Sequence, residues 1–143
     1  MQKKEKFKII VLVFVTVFLG VIAFAGFLYN KPHTNVTKTK PEIILTAQVL
    51  LNDFENNEMT ANLKYLEKII EVSGVIADCS MNKNNKGVVI LECGSIGTVM
   101  CHLSEDGTKK MSILKKGEKI SIKGICTGYL MDVILVKCVI TNK

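Results

Sequence analysis

The stretch KIIEVSGVIADC, residues 68–79, alternates apolar and polar side chains around a central glycine, and GEKISIKGICTG, residues 117–128, repeats the arrangement around Gly124. Alternation with a period of two marks a strand with one buried face. In the second stretch it sets Ile120, Ile122 and Cys126 on one face and Ser121 and Lys123 on the other. A glycine inside a strand marks a sharp bend or bulge, so two such strands in one small unit point to a closed barrel with coiled corners. Between them, GVVILEC (87–93) and TVMCHL (98–103) read as strands joined across a hairpin-length turn, and DVILVKCVI (132–140) is the last strand.

Outward from these strands, ILTAQVLLNDFENNEMTANLKYLEK (44–68) places Phe54, Glu58, Ala61 and Tyr65 at spacings of three or four, with Thr46 as N-cap. Met59, Leu63 and Leu66 fall on neighbouring positions, as expected of a continuous core stripe, with a break at Asn56 and Asn57 into two helices as the alternative. Asn57, Glu58, Asn62 and Lys64 fit a solvated face. The expected fold is mainly β: a five-stranded Greek-key barrel with an N-terminal helix at 46–66 and strands at 68–79, 87–93, 98–103, 118–127 and 132–140. The longest connection falls between the third and fourth strands, as in the OB-fold; an SH3-like barrel or a small sandwich is the alternative.

The first 42 residues are a different object. Residues 9–29, IIVLVFVTVFLGVIAFAGFLY, carry no charge; as a helix they span roughly 30 Å, the thickness of a bilayer core. Lys3, Lys4, Lys6 and Lys8 precede them, which puts the N-terminus in the cytoplasm and the rest outside. Cleavage of a signal peptide after Ala25 is the competing reading; the apolar run continuing through Tyr29 favours an uncleaved anchor. Residues 30–42, NKPHTNVTKTKPE, hold both prolines and read as an extended linker from tail (1–8) and anchor (9–29) to the domain at 43–143.

Charge divides along the same boundary. The chain has net charge +6, but from residue 41 onward 12 lysines face 12 carboxylates. The basic balance therefore orients the chain in a membrane and says nothing of what the domain binds.

The residues also carry a resemblance. Asn57 and Glu58, then Ala61 and Asn62, then Lys64 and Tyr65, followed by Gly124, Cys126, Gly128, Asp132, Val133 and Cys138, resemble the pattern of the tRNA-anti-like family of OB-fold proteins. The resemblance implies an OB-fold in a bacterial inner-membrane protein, single-pass, with its domain in the periplasm. It is specific for the family and weak for function, because a fold does not carry a function.

Little in the domain points to catalysis. The five cysteines show no C-x-x-C spacing, and His102 follows Cys101 on a strand, where the two side chains face opposite sides. No cofactor or metal site is expected, and the protein is read as no enzyme. An exported domain permits a disulfide; Cys126, Cys138 and Cys101 are the candidates, with small buried thiols as the other reading. Nucleic-acid barrels use a positive groove and stacking aromatics; this neutral domain has no arginine and offers Tyr129 alone as an exposed platform. The expected function is a non-catalytic, membrane-tethered binding module for a protein, an envelope glycan or a small molecule, with single-stranded nucleic acid as the alternative. Tyr129, Lys123, Asn57, Glu58 and Asn62 are the candidate ligand-binding residues.

Overall fold

The computed structural model describes residues 2–29 and 35–142, with side chains at 6, 8, 11–26 and 35–141. The chain divides into two units, residues 1–34 and 35–143. In the first, α1 (Gln2–Tyr29) is an unbroken helix whose described apolar side chains, Phe14 and Phe18 among them, are exposed along its length. Among the described residues no helix is long and apolar enough to cross a membrane. The expected span at 9–29 lies partly outside the residues whose side chains are described, as do the linker's residues 30–34 with His33.

The second unit is a closed barrel. A short strand, β1 (Ile43–Thr46), runs parallel to β2 (Ile69–Met81) and leads directly into α2 (Ala47–Asn56) and α3 (Glu58–Tyr65). After β2 come β3 (Gly87–Glu92), β4 (Val99–Leu103), α4 (Glu105–Lys110), a 3₁₀ turn (Met111–Ile113), β5 (Lys119–Leu130) and β6 (Asp132–Asn142). Strand order is β1-β2-β3-β4-β6-β5, and β2 pairs with β5 to close the ring of five. All barrel pairs are antiparallel except β4 with β6. This is the OB-fold order, with α4 between its third and fourth strands.

The two glycine-bent strands are partners, with Ile70 opposite Gly124 and Gly74 opposite Ile120. Both glycines sit at close approaches. A Cβ on Gly74 would come within 3.1 Å of the Ala47 Cβ, and one on Gly124 within 2.5 Å of the Cys138 Sγ. The core includes Leu50, Leu51 and Phe54 of α2, Ala61 and Tyr65 of α3, and the inward residues of every barrel strand.

Besides β1, where no strand was expected, two features depart from the expected layout. The helix at 46–66 is two helices: Asn57 ends α2, with its N–H donating to the Asp53 carbonyl, and begins α3, with its Oδ1 accepting from the Thr60 N–H at 3.0 Å. Thr46 caps α2 as expected, accepting from the Val49 N–H at 3.3 Å. The far end of the expected linker also docks on the barrel. Val36 is buried, and the Lys123 Nζ, 8% exposed as a residue, donates to the carbonyls of Thr37 (3.2 Å) and Thr39 (2.8 Å). A buried ammonium needs such acceptors, and here a turn of backbone supplies them.

Candidate partner-binding groove

Helix α3 presents two faces. Ala61 and Tyr65, four apart, are buried, while Met59, Leu63 and Leu66 are 77%, 80% and 40% exposed. The expected continuous core stripe is therefore not formed. The turn at Asn57 rotates α3 so that only one of its two apolar faces meets the barrel. Full burial of a Leu or Met side chain is worth about 1.5–3 kcal/mol, and the fold leaves this stabilisation unused at Met59 and Leu63.

The exposed face opens on a groove. One cavity of about 570 Å³ is lined by Glu58, Met59, Asn62, Leu63 and Leu66. A second, of about 310 Å³, is lined by Glu58, Asn62 and Leu66 together with Thr127, Gly128, Tyr129, Leu130 and Ile134 of β5 and β6. Glu58, Asn62 and Leu66 line both, so the two hollows adjoin along α3, and the second lies between α3 and the β5–β6 hairpin. At the hairpin tip Leu130 and Met131 are exposed, and Met131 takes a positive φ of 70°.

Behind the groove the wall is fixed by aromatics and by one carboxylate. Tyr129 lies stacked on Phe54 with ring centroids 5.7 Å apart, and Phe54 meets Tyr65 at 5.9 Å. The Tyr65 hydroxyl donates to Asp53 Oδ2 at 2.5 Å, and Lys64 Nζ donates to the same oxygen at 2.9 Å while lying 4.8 Å from the Tyr65 ring centre. The hydroxyl of Tyr65, and then Lys64, hold the Asp53 carboxyl below its usual range. Burial, and then Asp53, raise the Tyr65 phenol.

The tRNA_anti-like family pattern matches residues 1–140. The chain belongs to the tRNA_anti-like family. Among solved structures, this tRNA_anti-like protein is similar to a Klebsiella pneumoniae lipoprotein to which nucleic-acid binding has been ascribed: 17% identity, 79% of this chain and 100% of that one, TM-score 0.57. It also overlaps the Schizosaccharomyces pombe Stn1–Ten1 complex (15% identity, 52% and 59% coverage, TM-score 0.42) and an OBody bound to hen egg-white lysozyme (16% identity, 56% and 87% coverage, TM-score 0.43). At these identities the likeness shows the fold alone. No curated protein matches the chain in sequence.

The tRNA_anti-like motif residues now have places. Of the candidate ligand residues, Glu58 and Asn62 line the groove. Asn57 is spent capping α3. Tyr129 is half-buried against Phe54 rather than a free platform. Lys123 lies elsewhere, under the 35–39 turn. Residues missed in the sequence are Met59, Leu63 and Leu130; helical period alone does not say which of two apolar faces is covered.

The five cysteines are free thiols. Cys126, Cys138 and Cys101 are all fully buried, and the Cys101 and Cys138 thiols are neighbours. A bulge in β6 makes them so: Cys101 pairs with Leu135 but Leu103 with Cys138, and the inserted Lys137 has a φ of 53°. Burial, then Cys101, pushes the Cys138 thiol up; burial likewise raises Cys126, and raises Cys93 to about 11. Such thiols are poor nucleophiles. Among the described residues no group of three metal-ligating side chains converges.

Proposed function

We propose that this protein is a non-catalytic binding module, tethered by α1 to a bacterial inner membrane with its barrel in the periplasm, and that it holds a partner in the groove between α3 and the β5–β6 hairpin. The single observation behind this reading is the exposure of Met59 and Leu63 on one side of that groove and Leu130 on the other. Apolar side chains gathered around a concavity mark interaction sites. The tether rests on the uncharged run at 9–29 and the four lysines before it. The test is chemical crosslinking followed by purification from native membranes. A discrete adduct of the wild-type protein, absent from Leu63→Asp, supports the reading; an adduct indifferent to Leu63→Asp, or no adduct, rejects it.

Single-stranded nucleic acid is the second reading, favoured by what has been ascribed to the Klebsiella lipoprotein. OB-folds bind oligonucleotides on the face of their second and third strands. Here that face carries Val88, Ile90, Met100 and His102, without a lysine and with the His102 imidazole as its one ring. Fluorescence anisotropy with labelled oligonucleotides at low and moderate salt separates the readings. Salt-sensitive micromolar binding would favour nucleic acid.

A further inference from the structure

The groove is apolar, but its surroundings are not neutral. Residues 47–67, which form α2, α3 and the turn after them, carry Asp53, Glu55, Glu58 and Glu67 against one lysine, Lys64. That lysine is committed to Asp53 at 2.9 Å. Glu55, Glu58 and Glu67 are exposed, and Glu58 lines both parts of the groove, which among the described residues has no lysine in its lining. Glu58 thus sets a carboxylate against the apolar face. A carboxylate so placed repels phosphate, whether of a nucleic acid or of an anionic lipid, and attracts a cation.

We infer that the groove takes a basic amphipathic segment of another protein, whose apolar side chains lie against Met59, Leu63 and Leu130 while a lysine or arginine meets the Glu58 carboxylate. The inference rests on the proposed groove and adds the chemistry of its occupant. An amphipathic helix offers apolar groups at spacings of three and four with cations beside them. The Asn62 amide, one turn along α3 from Glu58 and within the same lining, is available to a backbone or side-chain polar group of that segment. Methionine at the rim suits such a partner, because its flexible thioether adapts to differing apolar surfaces.

The test uses the full chain in phosphatidylcholine nanodiscs and two fluorescein-labelled helical peptides of equal length, one of leucine and lysine, the other of leucine and glutamate, with empty nanodiscs as the blank. The leucine–lysine peptide binds in the micromolar range. Its binding falls about 10-fold or more in Glu58→Lys and in Leu63→Asp, and weakens with salt. The leucine–glutamate peptide does not bind. Equal binding of the two peptides, binding of neither, or binding unchanged in Glu58→Lys overturns the inference. So would preferential association of the barrel with phosphatidylglycerol, or a dimer lost in Leu63→Asp, which would put a lipid surface or a second copy in the groove. Leu63 is exposed, so Leu63→Asp separates loss of the site from loss of the fold. A membrane adduct that depends on Leu63 but not on Glu58 would leave the groove standing and remove its cationic occupant.

Discussion

The hydroxyl of Tyr65, at the end of α3, donates to the carboxylate of Asp53, in α2, across the turn at Asn57. This bond and Lys64 on the same oxygen tie the two helices together. They fix the rotation of α3 that buries Tyr65 and turns Leu63 outward. The groove's geometry therefore depends on a polar link that lies behind it.

Tyr65→Phe removes that donor and keeps the ring. Asp53 is about a third exposed, so water recovers part of the loss, and the expected cost is about 1 kcal/mol in urea unfolding. The pH dependence has a definite sign. A depressed carboxyl adds stability that is complete above the unfolded value of about 3.9 and lost as pH falls through the folded value. The raised phenol adds stability that is complete below about pH 10 and lost above it. Tyr65→Phe should reduce both dependences; acid and alkaline unfolding curves identical to wild type would refute the link.

Gly124 opposes Cys138 so closely that a methyl group at 124 collides with sulfur. Gly124→Ala is expected to destabilise by about 1–3 kcal/mol, and adding Cys138→Ala, which removes the sulfur, should recover much of that. A double-mutant cycle measures the coupling. Additive losses would mean that the contact is not the cause.

Lys123 holds the turn at 35–39 by two carbonyls. Lys123→Met should free that turn and speed trypsin cleavage after Lys38 by about 10-fold or more, since cleavage follows local opening. Unchanged cleavage kinetics would show that the turn is held by Val36 alone.

The buried thiols should resist alkylation. With iodoacetamide at pH 8 the folded barrel is expected to be modified at half-buried Cys79 alone, and slowly, because burial and Asp78 raise that thiol. In urea all five should react. Mass spectrometry showing one pair that never reacts without reductant would establish a disulfide in place of free thiols.

Much of the barrel was legible because its signals are local. Gly74 and Gly124 announced two bent strands, and the structure pairs them; Thr46 announced the start of α2. The split at Asn57 was open as an alternative because Asn serves equally to end one helix and start another. What could not be read depends on neighbours distant in sequence. The four-residue β1 is too short for alternation to register. The bulge at Lys137 changes which residues of β6 face inward, so the Cys101–Cys138 contact had no pattern to betray it. The apolar period of α3 is real, yet only the position of the barrel decides that Ala61 and Tyr65 are covered and Met59 and Leu63 are not. Tyr129 shows the reverse: a residue expected on a hairpin tip finds Phe54 to stack on.

The central claim is that the partner sits on α3 and the hairpin rather than on the outer face of β3 and β4. The most direct measurement places a photoreactive amino acid at position 63 in one copy of the full-length protein and at position 100 in another, and compares adducts formed by irradiating intact cells. A discrete adduct from position 63 and none from position 100 is the predicted result. An adduct from position 100 alone, or from neither, would contradict the account.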